Sequence, residues 1–174
     1  MLARDCVDLY GKKLKGLDVD IIVSITRGGT IISRIYSDLL GIKPISHITM
    51  SSYKDMKKLG RPIITEEPKR DFKNKIVVIV DEVSDTGATF EVAEKYFKKL
   101  KVKKIYTLSP YIKPHTQYIP DFWGKKIDAW IIFPYDVRET AEGLTKILGN
   151  KKHAIEKMLE LGFEKWEIQA IENE

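Results

Sequence analysis

At 174 residues the chain has room for one domain with a proper hydrophobic core, without disulfide or metal staples. Hydrophobic content of 43% beside 32% charged residues is that of an ordinary soluble globular protein, which sets aside disordered and membrane-embedded classes. The net charge of +5 suits an anionic small molecule or a nucleic acid without choosing between them, because the lysines are spread along the chain rather than gathered in a block.

The single cysteine, Cys6, allows no intrachain disulfide, and no Cys/His cluster has zinc spacing. Cys6 shares an apolar stripe with Leu2, Leu9 and Leu14, which predicts a packing role. No signal-peptide run opens the sequence and no stretch nears the ~18 apolar residues of a membrane span. The expectation is a cytoplasmic protein with no membrane partner.

Strand and helix patterns then alternate. Residues 2–15 read as an amphipathic helix and Asp20 to Ile25 as a buried β-branched strand. After the turn Thr26-Arg27-Gly28-Gly29, apolar residues at Ile31, Ile32, Ile35, Leu39 and Leu40 predict a helix stopped by Gly41. Ile45 to Met50 reads as a strand. Residues 51–74 are polar, with Gly60, Pro62 and Pro68, and read as a long loop or a mobile hairpin. Ile76 to Val80 is five Ile or Val residues in a row, a buried strand. Ala88 to Leu100 is a helix and Ile105 to Ser109 a strand. Pro110 to Lys126 reads as irregular, Ile127 to Phe133 as a strand stopped by Pro134, and 139–174 as helices broken near Gly149-Asn150 and Gly162. The fold class is therefore α/β, a central, mainly parallel twisted sheet flanked by helices. Ligands of such sheets bind beyond the carboxyl ends of the strands.

The chemistry gathers after the strongest strand, in Asp81-Glu82-Val83-Ser84-Asp85-Thr86-Gly87-Ala88-Thr89. Two adjacent carboxylates arrive at a strand end. A short loop with two threonine hydroxyls then opens a helix, whose first N–H groups suit a phosphate, and Gly87 lets backbone approach an anion. Carboxylates beside a phosphate repel it unless Mg²⁺ or sugar hydroxyls intervene, and a ribose phosphate supplies both a phosphate and a diol. Two other readings compete. An apolar strand ending in Asp-Glu also describes the magnesium strand of a P-loop ATPase, but no G-x-x-x-x-G-K-[ST] is present. Asp85 and Thr86 are also good helix-capping residues.

This segment resembles the signature of the type I phosphoribosyltransferases, which use PRPP (5-phosphoribosyl-1-diphosphate). It departs from the usual pattern in its acidic pair, Asp-Glu, where Asp-Asp or Glu-Asp is commoner, and in Ser84, where the family usually has an apolar residue. Thr26-Arg27-Gly28-Gly29 resembles the family's pyrophosphate loop, in which the peptide before the basic residue can be cis. Ser51-Ser52-Tyr53-Lys54 is similar to the start of the flexible lid of purine-salvage members. Lys54, Lys57, Lys58 and Arg61 are candidate phosphate contacts within it. Lys113, with Trp130-Ile131-Ile132-Phe133-Pro134-Tyr135-Asp136, resembles the base pocket of the 6-oxopurine enzymes, most closely the xanthine-guanine type. The likeness spans roughly residues 20–140.

The resemblance implies one phosphoribosyltransferase domain over 1–174, with a lid at about 51–74, a base-binding hood at about 110–138 and a helical C-terminal extension, 139–174. It implies a purine-salvage enzyme that makes nucleoside 5′-monophosphate and pyrophosphate from PRPP and guanine, xanthine or hypoxanthine. Asp81 and Glu82 would hold the ribose hydroxyls, directly or through Mg²⁺, and Ser84, Asp85, Thr86, Gly87, Ala88 and Thr89 the 5′-phosphate. Thr26, Arg27, Gly28 and Gly29, with Ser52, Tyr53 and Lys54, would hold pyrophosphate. Lys113, Trp130, Ile131 and Asp136 would hold the base, and Asp85 would be the catalytic residue. The family usually self-associates, so a homodimer or homotetramer is expected, with no nucleic-acid partner. Transfer to adenine, uracil or orotate, or a PRPP-sensing regulator of nucleic acid, are the alternatives. A regulator would show steep salt dependence in nucleic-acid binding.

Overall fold

Ile21–Thr26 (β1) and Ile76–Val80 (β4) lie side by side in parallel and carry apolar residues at successive positions. A strand's side chains alternate between faces, so a continuous apolar run needs cover on both. Ile22, Val78, Val80 and Leu108 point one way, into a cluster with Cys6, Leu9, Leu14, Ile32 and Tyr36. Ile21, Val23, Ile25, Val77 and Ile79 point the other way, onto Ile48, Phe72, Phe90, Ala93 and Phe97. Two buried cores therefore sandwich the sheet. Cys6 is fully buried in the first, and burial pushes its thiol up to about 11.

The computed structural model describes residues 2–41, 43–54 and 57–172, and the side chains of all of these except 52–54, 57–59 and 172. It contains two compact units, Met1–Asp128 and Ala129–Glu174. The first holds the sheet. Its elements are a helix α1 (Leu2–Leu9) running into a π-helical turn, Tyr10–Leu14, then β1, α2 (Gly29–Leu39), β2 (Ile45–Lys54), β3 (Lys57–Glu66), β4, β5 (Val83–Ser84), α3 (Ala88–Lys99), β6 (Lys104–Ile112) and β7 (Phe122–Lys126). Strands run β3-β2-β1-β4-β6, with β5 and β7 both paired to β6, and every pair is parallel except β2 with β3. The second unit holds α4 (Val137–Leu148), α5 (Lys151–Glu160) and α6 (Lys165–Glu172), with left-handed glycines at Gly149 and Gly162 between them. No described helix is long and apolar enough to cross a membrane.

Three segments refine or correct the sequence reading. Within the polar stretch 51–74, β2 pairs antiparallel with β3 as a hairpin that ends at Glu66, and residues 55–56 lie outside the described set. Pro110 to Lys126 is not irregular. β6 runs through Pro110 to Ile112, and Phe122–Lys126 pairs along it. Gly124 permits this, since a β-carbon there would meet the Pro110 carbonyl at 2.6 Å. The strand expected at Ile127 to Phe133 is absent because β6 has run out. The Ile127 N–H donates to the Ile112 carbonyl, the last residue of β6, and beyond it no paired edge remains. Trp130, expected within that strand, is 80% exposed.

One polar tie crosses the first core. Asp5 of α1 is buried and accepts from the Tyr111 hydroxyl of β6 at 2.8 Å and from Lys125 Nζ of β7 at 2.7 Å. Burial pushes this carboxyl up, but the bonds from Lys125 and Tyr111 and the lysine charge outweigh it, leaving Asp5 below its ordinary value. Such a group stabilises the fold fully above the ordinary carboxylate value, and its contribution is lost as pH falls through the depressed one. Asp5→Ala should lower Tm by roughly 5 °C at neutral pH, because it leaves a buried hydroxyl unpaired. Thermal melts from neutral to acid pH check this, and the gap to wild type should close as the carboxylate range is crossed.

Candidate functional site

The strand β4 ends at Val80, and β5 resumes the same alignment with β6 three residues later, at Val83. Asp81 and Glu82 occupy the gap. The Asp81 N–H still donates to the Leu108 carbonyl, at 3.2 Å. The ladder then lapses because Pro110 has no N–H to return. An apolar strand thus delivers two carboxylates to its carboxyl end and releases them from the sheet.

Asp81 is buried. Its Oδ1 accepts from the Glu82 N–H at 3.0 Å and its Oδ2 from the Thr89 hydroxyl at 3.1 Å. Burial, and then the charge of Glu82, push its carboxyl up to about 7, against the pull of those two bonds. Two backbone turns close in. A β-carbon at Gly28 would run into the Glu82 carboxylate, and one at Gly29 would strike the Val80 carbonyl. Gly29 is therefore required for the loop that begins α2 to lie against the strand end, whereas at Gly28 the flexible end of the Glu82 side chain could swing aside. Its peptide Thr26–Arg27 is cis. The Thr26 hydroxyl bonds Thr49 Oγ1 at 2.9 Å, and Arg27 is exposed.

Residues 85–89 form the next turn. Gly87, at φ +87°, is the N-cap of α3 and offers the first-turn N–H groups no capping side chain. The Ala88 N–H reaches Thr86 Oγ1 only at 3.4 Å. A helix start of this kind accepts an anion. Gly87 is needed twice over, since a β-carbon there would also collide with Tyr118. Asp81, Glu82, Val83, Asp85, Thr86, Gly87, Ala88 and Thr89 line one cavity of about 570 Å³, together with Gly60, Arg61 and Pro62 of β3. The hairpin read from sequence as a lid therefore faces the acidic and phosphate-type loops through Arg61. The side chains of Ser52, Tyr53 and Lys54, expected at this site, lie outside the described residues, as do those of Lys57 and Lys58.

Ser84 is fully buried, and its hydroxyl meets Thr116 Oγ1 at 2.9 Å and donates to the Tyr118 carbonyl at 2.8 Å. It fastens the loop of Lys113 rather than facing the cavity. The Lys113 N–H donates to the Ser84 carbonyl at 3.0 Å. His115, which sequence reasoning passed over, lies in that loop with Nε2 2.9 Å from Asp85 Oδ1. No local motif marked it, although its closeness to Lys113 in the chain was a usable signal. In the second unit, Asp136 caps a turn by accepting from the Phe133 N–H at 3.3 Å, Ile131 is half-buried, and Phe133 stacks on Tyr135 with ring centres 5.4 Å apart. Lys113 belongs to the first unit, and Trp130, Ile131 and Asp136 to the second. Among the described residues, no group of three His, Cys, Asp or Glu side chains could hold a metal by itself.

The fold and the site define an α/β protein with paired acids and an anion-type loop at a strand end. The chain belongs to the phosphoribosyl transferase domain family, which matches residues 3–141. It is similar to the xanthine-guanine phosphoribosyltransferase of Desulfotalea psychrophila, with 31% identity over 117 residues, 66% of this chain and 69% of that one. The crystal structure of a purine phosphoribosyltransferase from Pyrococcus horikoshii Ot3 aligns with TM-score 0.69 and 38% identity, over 77% of this chain and 88% of that one. The xanthine-guanine-hypoxanthine phosphoribosyltransferase of Helicobacter pylori aligns with TM-score 0.67 over 84% and 93% of the two chains, and at 22% identity that likeness shows the fold alone.

The raised Asp81 yields a prediction with a definite sign. An acid whose folded value exceeds its ordinary 3.8 burdens the fold above about 7 and ceases to do so below the ordinary value. Asp81→Asn should raise Tm by roughly 5 °C at pH ~8. That advantage should fade as the pH falls through the same window, as thermal scans of both proteins will read.

Proposed function

We propose that this chain is a purine-salvage phosphoribosyltransferase, which joins guanine, xanthine or hypoxanthine to the ribose 5-phosphate of PRPP and releases pyrophosphate. The observation that carries this reading is the single cavity that unites Asp81 and Glu82 with the turn Asp85 to Thr89. Paired acids match a sugar diol, and an open helix start matches a phosphate. A volume of about 570 Å³ suits a ligand of this size. The names of the relatives, which specify xanthine, guanine or purine, support the choice of base.

In this reading Glu82 holds the ribose hydroxyls, with Asp81 behind it, and Thr86 to Thr89 hold the 5′-phosphate. Arg27, Gly28 and Gly29 receive the pyrophosphate, where negative charge grows in the transition state. Purine N9 bonds to ribose C1′, the C1′–O bond breaks with its electron pair leaving on pyrophosphate, and the N7 proton passes to Asp85. Lys113 donates to the 6-oxygen. An ammonium has donors and no acceptor, so it favours an oxo group over the amino group of adenine. Trp130 stacks on the ring, and backbone at Ile131 and Asp136 meets the 2-position edge. The β2–β3 hairpin acts as a lid that keeps water from the cationic ribose centre, with Arg61 as its cation over the phosphates.

Mg²⁺ fits these residues on chemical grounds. Both Asp81 oxygens already accept hydrogen bonds, so a hard cation would be held through Glu82 and substrate oxygens, and it would relieve the charge that raises Asp81. Bound there, it would neutralise the departing diphosphate. The chain acts in a cytoplasmic homodimer or homotetramer.

A panel assay tests this reading: PRPP and Mg²⁺ with guanine, hypoxanthine, xanthine, adenine, uracil and orotate, with nucleotide and pyrophosphate both measured. Turnover should be confined to the oxopurines, and Lys113→Ala should erode that selectivity; nucleotide from another base alone would overturn it. Asp85→Asn should lower kcat by roughly 10²–10⁴-fold, with PRPP affinity nearly unchanged. Equal losses in both would count against the proton-accepting role.

A further inference from the structure

Asp85 does not stand alone. His115 Nε2 lies 2.9 Å from its Oδ1. An ionised carboxylate only accepts, so Nε2 is the nitrogen that carries the proton in this pair.

The backbone beneath both side chains holds them in place. The Lys113 N–H donates to the Ser84 carbonyl and the Gln117 N–H to the Thr86 carbonyl, each at 3.0 Å, so the residues on either side of Asp85 are tied to the loop that carries His115. The buried Ser84 hydroxyl adds its bonds to Thr116 Oγ1 and the Tyr118 carbonyl. Within the loop, Gln117 Nε2 donates to the His115 carbonyl at 3.2 Å. Tyr118 also covers Gly87, two residues beyond Asp85. The imidazole and the carboxylate are thus brought together by backbone placement, not by the reach of two long side chains.

The geometry points to His115 as a positioning residue for the transfer, a role that rests on the proton-accepting role proposed for Asp85. By donating to Oδ1, His115 fixes the carboxylate rotamer and leaves Oδ2 to take the N7 proton. It gives up no proton itself. Its effect is to hold the acceptor oxygen ready, so that the carboxylate need not reorganise when the N9–C1′ bond forms. The two side chains are 59% and 60% exposed, so the bond adds little to folding and its removal tests catalysis rather than stability.

The experiment compares steady-state kinetics of wild type, His115→Ala, His115→Gln, Asp85→Asn and the double variant Asp85→Asn/His115→Ala. His115→Ala should lower kcat roughly tenfold, the scale of a lost hydrogen bond to a charged group, with KM for PRPP and base held within about twofold. His115→Gln should recover most of that loss, because its amide N–H reaches the same oxygen. On the Asp85→Asn background the alanine should cost nothing further, beyond about twofold, because the two residues act as a unit. Three results would each overturn the inference while leaving the enzyme assignment intact: a kcat for His115→Ala within about twofold of wild type, a glutamine variant as slow as alanine, or a full repeat of the loss on Asp85→Asn. A wild type that turns over no base would overturn the functional reading, and this role with it.

Discussion

The site depends on one costly placement, a carboxylate buried at the end of an apolar strand. Asp81 follows Ile76–Val80, whose last four residues are buried, and is itself only 8% exposed. Charge in such a place is tolerated only when its lone pairs are met, and here the Glu82 N–H and the Thr89 hydroxyl meet them. Glu82 then raises the cost again by adding a second negative charge beside the first. A stability-optimised chain would carry neither acid at this point. Their presence marks the strand end as a place where stability yields to binding.

Around the two acids the chain is built from close approaches. Gly28 and Gly29 press the start of α2 against Glu82 and the Val80 carbonyl, and Gly87 lets Tyr118 lie on the start of α3. β6 is the shared beam. It pairs β4, β5 and β7, and it ends where Ile112 gives way to the loop carrying Lys113 and His115. Pro110, lacking an N–H, breaks the ladder at the level of the acids and frees them without ending the strand. The Ser84 side chain then fastens the next loop from beneath. A departure from the family pattern therefore has a structural use: its hydroxyl serves partners that a hydrocarbon could not.

The legible part of this architecture was local. A run of β-branched residues admits few conformations, and two acids before Asp-Thr-Gly-x-Thr constrain chemistry as tightly as they constrain the turn. β1, β4, α2, α3 and the turn from Asp81 to Thr89 could therefore be read directly. The misread segments depend on distant partners. Phe122–Lys126 is polar at its end and becomes a strand because β6 offers an edge and Gly124 fits beneath Pro110. Ile127 to Phe133 has the better strand composition and forms none, because that edge has already run out. The pairing of His115 with Asp85 was hidden for a like reason, since its nearness to Lys113 in the chain does not say that position 115 will lie beside position 85.

Charge explains why the hairpin belongs to the site. On the proposed reading the cavity must take a ligand with several phosphate charges, yet its floor carries Asp81, Glu82 and Asp85. Helix-start N–H groups offset part of that repulsion, but partial charges of this kind fall off within a turn. Full positive charge has to come from elsewhere. Arg27 at the start of α2 is exposed and Arg61 reaches the cavity from β3, so each is carried by an element other than the one that bears the acids. Separating the signs in this way brings positive charge to the site from elements other than the acidic loop. It also makes the balance of charge in the site complete only when the hairpin, the strand end and the ligand are all present together.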